Sequence, residues 1–409
     1  MNAGTASVRR SRLGTWIVLS GVFIGLLLTG VLVLWLWVRS DGDVRAVEAE
    51  VSAAGFAIQP EPKTLTDPLR LTRARSADAA VRAIKFDWPG TIHSLKNKSA
   101  SAEFRAYHLT ISSQDVCDAA RGIVDLGNAP IRVPPSERRV SPSAWKDLFD
   151  TRLVVAEGDE LDLCLAVTRI RIEMLWGDES YFAGRYDFSR VCTVLAHRLA
   201  DRREQMRPMA DWLESMAQRY LDGQPQSAEH VLRGDLTSFR HGEQAMKERG
   251  VMLPNWLAIG PAMELVMRVE RASLLRAELS WLQFLNAHPA QPRVWLDEAE
   301  RRNAALANAG SWLGADLHQQ LLIIQHPHVV RHLVFAVLYA RLIAAELRGS
   351  PWPVDLCDRA GAPLRRWEKD GQLIGAYSVG PDGLDDGADS RKDLRFRLVL
   401  DPPPPSAAP

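Results

Sequence analysis

Met263–Leu285 reads MELVMRVERASLLRAELSWLQFL, and this stretch decides the fold class. Met263, Met267, Leu274, Trp281 and Leu285 recur at the spacing that lines one face of an α-helix. Similar patterns flank it on both sides. Glu160–Met174, Ser189–Arg203, Met206–Leu221, Asp297–Ala307 and Pro327–Leu347 each read as a helix, with short breaks such as Asp222-Gly223 and Asn286-Ala287-His288-Pro289 between them. Residues 143–348 are therefore expected to form a helical domain, and the chain to be mainly α. Glu270 and Glu278 lie beside the apolar stripe, where two carboxylates could form a metal or general-acid pair or meet Arg271 and Arg276 in salt bridges.

Composition narrows the function classes. Lysine plus arginine equals aspartate plus glutamate, 50 against 50, so no surplus cation is available to neutralise phosphates and nucleic acid is not an expected partner. The hydrophobic share of 46% is ample for a packed core, which excludes wholesale disorder. Cys117, Cys164, Cys192 and Cys357 form no CxxC pair, which excludes a cysteine-rich zinc module, and their spacing favours no particular disulfide.

The N-terminus carries a second strong signal. Thr15–Val38 (TWIVLSGVFIGLLLTGVLVLWLWV) runs 24 residues without a charge. As a helix it reaches about 36 Å, enough to cross a hydrocarbon core of about 30 Å. Trp16 lies near one end, and Trp35 and Trp37 near the other, where such rings favour the headgroup level. A cleaved signal peptide would have a shorter apolar core and a small-residue cleavage site. The expectation is a transmembrane helix over residues 15–38, in contact with the lipid bilayer. Arg9, Arg10 and Arg12 precede it without an acidic neighbour, which places residues 1–14 in the cytoplasm and the bulk of the chain outside. Gly21, Gly25 and Thr29 form a small-residue stripe of the kind through which two such helices pack as a homodimer.

Residues 39–142 read as a juxtamembrane helix, Val44–Ala54, followed by an irregular α+β segment. Asp67-Pro68 and Trp88-Pro89-Gly90 punctuate it, and Tyr107–Ile111 is a candidate strand. Asn97-Lys98-Ser99 matches a glycosylation acceptor by chance. Residues 401–409 (DPPPPSAAP) have nothing to bury and read as a disordered proline-rich tail. His328 and His332 share a helical face at zinc-site spacing, but Val329 stands where the HExxH glutamate belongs. Cys164 and Cys192 sit in helical runs as buried thiols.

Residues 349–400 form a separate module. Gln372–Val379 and Leu394–Leu400 read as strands of a small antiparallel β unit. The glycine-rich loop between them carries Asp382, Asp385, Asp386, Asp389 and Asp393. Crowded carboxylates repel one another unless neutralised, and a hard cation with about 6–8 oxygen ligands does so. The spacing is not that of an EF-hand.

These residues carry a resemblance. Gly349 with Trp352-Pro353, then Asp358, Gly361 and Pro363, then Tyr377-Ser378-Val379-Gly380-Pro381-Asp382-Gly383 and Asp393-Leu394, resemble the C-terminal module of the major pseudopilin of type II secretion systems. The resemblance covers roughly Pro327–Leu398. It implies a calcium-binding loop with Asp382 and Asp393 as ligands, Val379 as a backbone ligand and Asp385 among the available substitutes for an acidic position that Arg391 fills here. Gly14 is followed at the fifth position by Leu19, not the glutamate of a prepilin site, so the chain is not read as a fibre subunit. As a whole it resembles uncharacterised bacterial single-pass inner-membrane proteins bearing that module. The expected role is a membrane-anchored extracytoplasmic binding or scaffold protein with a protein partner in the envelope. The alternative is an extracytoplasmic hydrolase with its site among the helices.

Overall fold

The computed structural model describes residues 4–56, 65–84, 110–131, 145–177, 181–225, 228–229, 232, 260–308, 327–389 and 392–398. The described chain is mainly helical and ends in a small antiparallel sheet. It forms two compact units: Met1–Pro60 with Ala228–Phe284 and Arg302–His326, and Glu61–Ser227 with Leu285–Arg301 and Pro327–Pro409. Residues 349–400 lie within the second unit, while the border at residue 60 and the alternation between 227 and 327 fall inside the segments 39–142 and 143–348.

In the first unit, α1 runs Gly4–Ala53 without interruption, so Val44–Ala54 is not a separate helix but the end of a longer one. From Val22 to Val38 ten large apolar side chains are more than half exposed, Phe23 at 66% and Leu34 at 64%. Beyond them, Val44, Val47 and Val51 are buried. Thr29 donates its hydroxyl back to the Gly25 carbonyl at 2.8 Å, satisfying it within the helix. Among the residues described with their side chains, which leave out residues 15–21 and several others of Thr15–Val38, no helix is long and apolar enough to cross a membrane. A helix over Gly260–Ala287, α8 in chain order, contributes Leu275, Leu279 and Leu282 to this unit's core, and its Arg276 reaches Glu50 of α1 at 3.3 Å.

The second unit opens with α2 (Pro68–Ala83) and α3 (Ser113–Val124), two helices inside the stretch expected to be irregular. Their starts have a physical cause. Asp67 accepts from the backbone of Leu69 and Arg70 at 2.9 and 3.2 Å with Pro68 at the first turn, and Ser112 accepts from Asp115 at 3.2 Å. The Asp-Pro step is thus a helix cap. Thr110 and Ile111 form a turn, and the rest of the candidate strand lies outside the described residues, as do Asn97–Ser99 and the tail.

The second unit continues with α4 (Lys146–Arg152), α5 (Gly158–Gly177), α6 (Tyr181–Met206) and α7 (Met209–Asp222). In chain order come next α8 (Gly260–Ala287), mostly of the first unit, then α9 (Pro292–Asn308), whose residues up to Arg301 belong to the second, and α10 (Pro327–Arg348) of the second. The helix α10 packs on α6 and α7, and α5 packs on α3, α4 and α6. Phe188, Tyr220 and Trp212 meet where α6 faces α7, Phe188 stacking on Tyr220 at 4.8 Å.

A chain of charges threads this bundle. Arg171 and Asp150 are both 0% exposed and 2.7 Å apart, and the other arm of Arg171 meets Asp187 at 2.8 Å. Arg190 closes on Asp150 at 3.3 Å and Lys146 on Asp187 at 3.8 Å, so the buried charges are matched.

The sheet has strands β1 (Arg365–Lys369), β2 (Gln372–Ser378) and β3 (Leu394–Arg397) in that order, antiparallel. The strands β2 and β3 were legible in the sequence; β1 was not. Asp370 and Gly371, at φ +55° and +72°, make the two-residue turn that joins β1 to β2. The sheet is held to α10 by Phe396, which stacks on Phe335 at 5.1 Å, and by the Tyr339 hydroxyl, which donates to the Arg397 carbonyl at 2.6 Å.

Candidate functional site

The loop from Val379 to Asp393 is built around a carboxylate the sequence reading did not single out. Asp355 is 1% exposed and accepts from the backbone of Cys357 at 2.9 Å, the Ser378 hydroxyl at 2.7 Å and the backbone of Val379 at 2.9 Å. It ties the turn after α10 to the end of β2. At the other end, Gly380 stands at φ +73°, where a Cβ would come within 2.0 Å of the Lys392 carbonyl. The two arms of the loop therefore touch through backbone alone.

Arginines surround it. Arg365 of β1 is 2.7 Å from Asp358 and 3.0 Å from Asp385. Arg293 of α9 donates to the Pro381 carbonyl, and Arg331 of α10 to the Lys392 carbonyl at 3.2 Å. Lys392 pairs with Asp386 at 2.9 Å. Guanidinium groups thus hold several of the oxygens that a metal loop would offer.

The four expected metal ligands fare differently. Val379 is buried, its N–H committed to Asp355. Asp382 is exposed and caps the Leu384 backbone at 3.1 Å. Asp385 accepts from the Tyr377 hydroxyl at 3.0 Å and the Gly387 backbone at 3.1 Å; that backbone bond, with Arg365 beside it, holds its carboxyl below the usual range. Asp393 is 2% exposed and accepts from the Asp389 backbone at 3.1 Å through Oδ2. Its Oδ1 and the Oδ2 of Asp386 are buried with no hydrogen-bond partner. Burial, with Asp386 and Asp385 nearby, pushes the Asp393 carboxyl above its ordinary value. Among the described residues, no three or more His, Cys, Asp or Glu side chains lie close enough together to hold a metal ion.

The remaining candidates are placed as follows. All four cysteines are free and buried. Burial raises their thiol pKa values, Cys357 to about 12, so at neutral pH they are thiols and not thiolate nucleophiles. His332 is half-buried in α10, and the side chains of His328 and Glu270 lie outside the described residues. Glu278 is 1% exposed. A groove of about 420 Å³ runs along α5, floored by Leu165, Ile170 and Met209. Its carboxylates are engaged: Asp162 accepts from Gln205 at 2.9 Å, and Glu173 from Arg169 at 3.1 Å, from Trp212 at 3.0 Å and from Asn128.

Comparison with protein-family models, with curated proteins and with solved structures finds no match to the chain.

Proposed function

We propose that this is a single-pass inner-membrane protein of a bacterium, with its N-terminus in the cytoplasm and its bulk outside, acting there as a binding or scaffold protein. The observation that carries the reading is α1. An uncharged 24-residue stretch lies within a 50-residue helix whose described large apolar side chains from Val22 to Val38 all face outward. Bare apolar surface of that extent needs a covering, and lipid suits a helix that is apolar on every side. The arginines before the span supply the orientation. A homodimer through Gly21, Gly25 and Thr29 fits the open space around Gly25, where nothing lies within 4 Å of a built Cβ. A reporter fused after Leu400 is expected to be active only in an extracytoplasmic compartment. Activity in the cytoplasm would overturn the orientation, and recovery of the chain in the soluble fraction would overturn the anchor.

The same proposal gives the terminal module a pseudopilin-like role, with calcium held at Asp393. Its support is that Oδ1 of Asp393 and Oδ2 of Asp386 are each buried without a hydrogen-bond partner, and that the Asp386 charge acts on Asp393. An ionised Asp393 is costly where it lies, and that cost grows as pH rises through the ordinary carboxylate range; a cation at Oδ1 offsets it. Calcium at about a hundred times its Kd should stabilise the module by about 2.7 kcal/mol. The chain should melt higher in millimolar calcium than in chelator, and Asp393→Asn should remove most of the gain. Superimposable melting curves in calcium and chelator would leave the loop to its arginines.

A further inference from the structure

The sequence ends the expected span at Val38 and begins a separate helix at Val44, leaving Arg39-Ser40-Asp41-Gly42-Asp43 between them, and the structure has no such gap. The α1 helix passes through all five residues. Side chains brace it across the point where the apolar band ends. The guanidinium of Arg39 lies 5.2 Å from the Trp35 ring centre one turn back and 3.9 Å from the Asp43 carboxylate one turn on. Spacing of four residues puts all three on one face, where such contacts support a helix. Val44 is buried directly after this brace, and Val47 and Val51 are 0% exposed. The Glu50–Arg276 pair at 3.3 Å then fastens this end of α1 to α8.

We infer that α1 is a rigid strut: the membrane span continues without a hinge into the core of the first compact unit. This rests on the membrane reading above and adds how the anchor is joined to what it holds. Val38 to Val44 is six helical residues, about 9 Å at about 1.5 Å each, so the unit's core begins close to the lipid headgroups. A flexible tether of the same length would let the unit tumble and reach. A strut fixes its height and its rotation about the helix axis, and any tilt or rotation of the span is passed on to the unit. A partner of this unit is therefore met at the membrane surface. One inserted residue between Val38 and Val44 would turn the unit by about 100° relative to the span.

The test is amide hydrogen exchange on the full chain in phospholipid nanodiscs. The amides of Ser40–Asp43 are expected to exchange at least about 100-fold more slowly than in an unstructured peptide, in line with Val44–Ala53. Gly42→Pro removes a helical hydrogen bond and clashes with the preceding turn, so it should release protection at the junction while leaving Val44–Ala53 protected. Junction amides that exchange at unstructured rates in the unsubstituted chain, or that do not respond to Gly42→Pro, would overturn the strut. Failure of the chain to enter nanodiscs would count against the anchor instead, and the exchange pattern of the lipid-free chain would then decide continuity by itself.

Discussion

Arg171→Met should destabilise the second compact unit by about 3–5 kcal/mol, because it strips the shared cation from two buried carboxylates. The guanidinium is 0% exposed, as is Asp150, and Asp187 is 7% exposed at the side chain. Methionine fills similar space, so the loss is electrostatic and not a cavity. Burial already raises the Asp150 pKa. Without Arg171, Asp150 keeps, among the described residues, Arg190 at 3.3 Å and must either protonate or remain charged at greater cost. The sign follows. A carboxyl whose folded pKa lies above its unfolded value favours the fold in its neutral form, so the penalty should be smallest at acidic pH and widen as pH rises. Replacing Asp150 and Asp187 with leucine in the same chain should recover much of the loss, since an apolar triad of similar volume carries no desolvation cost. The check is the urea midpoint followed by tryptophan fluorescence at two pH values. A single variant within about 1 kcal/mol of the parent at pH 8 would show that the charges are better solvated than their burial indicates.

The second large effect is expected at Gly380→Ala, about 2–5 kcal/mol. Two costs add there. A residue with a Cβ at φ +73° loses about 1–2 kcal/mol against glycine, and the Cβ would stand 2.0 Å from the Lys392 carbonyl, forcing the loop arms apart at about 1–3 kcal/mol more. That carbonyl is held by Arg331 at 3.2 Å and cannot withdraw freely. Gly387→Ala separates the two costs, since Gly387 has φ +69° but nothing within 4 Å of a built Cβ. It should lose only the conformational part. Thermal melts of the two variants measure the difference, and equal losses would mean that the loop arms do not touch at Gly380.

The two cases show what a sequence displays and what it conceals. The long helices were legible because apolar residues such as Leu274 and Trp281 recur on one face, and burial enforces that period. Helix α2 was not, because its core face is made partly of alanines, Ala74 and Ala77, and its start was marked only by the Asp67 cap. Strand β1 is short, charged and mostly exposed, and its signal was the Asp370-Gly371 turn behind it. The loop was legible as a place where aspartates crowd. Its wiring was not, since Asp355 reaches Ser378 across 23 residues and Arg293 reaches Pro381 across 88. No local pattern records a partner that far along the chain.

The packing of α10 on α6 and α7 also sets a timetable for synthesis. Helix α7 ends at Asp222, and α10 begins at Pro327. At about 5–20 residues per second, ribosomes need on the order of 5–20 s to make the intervening chain. Until α10 emerges, the apolar faces of α6 and α7 that it covers stay open to water or to wrong partners. A chain cut short before residue 327 would never close them, so proteolytic clearance of such fragments is the fate this order of assembly dictates.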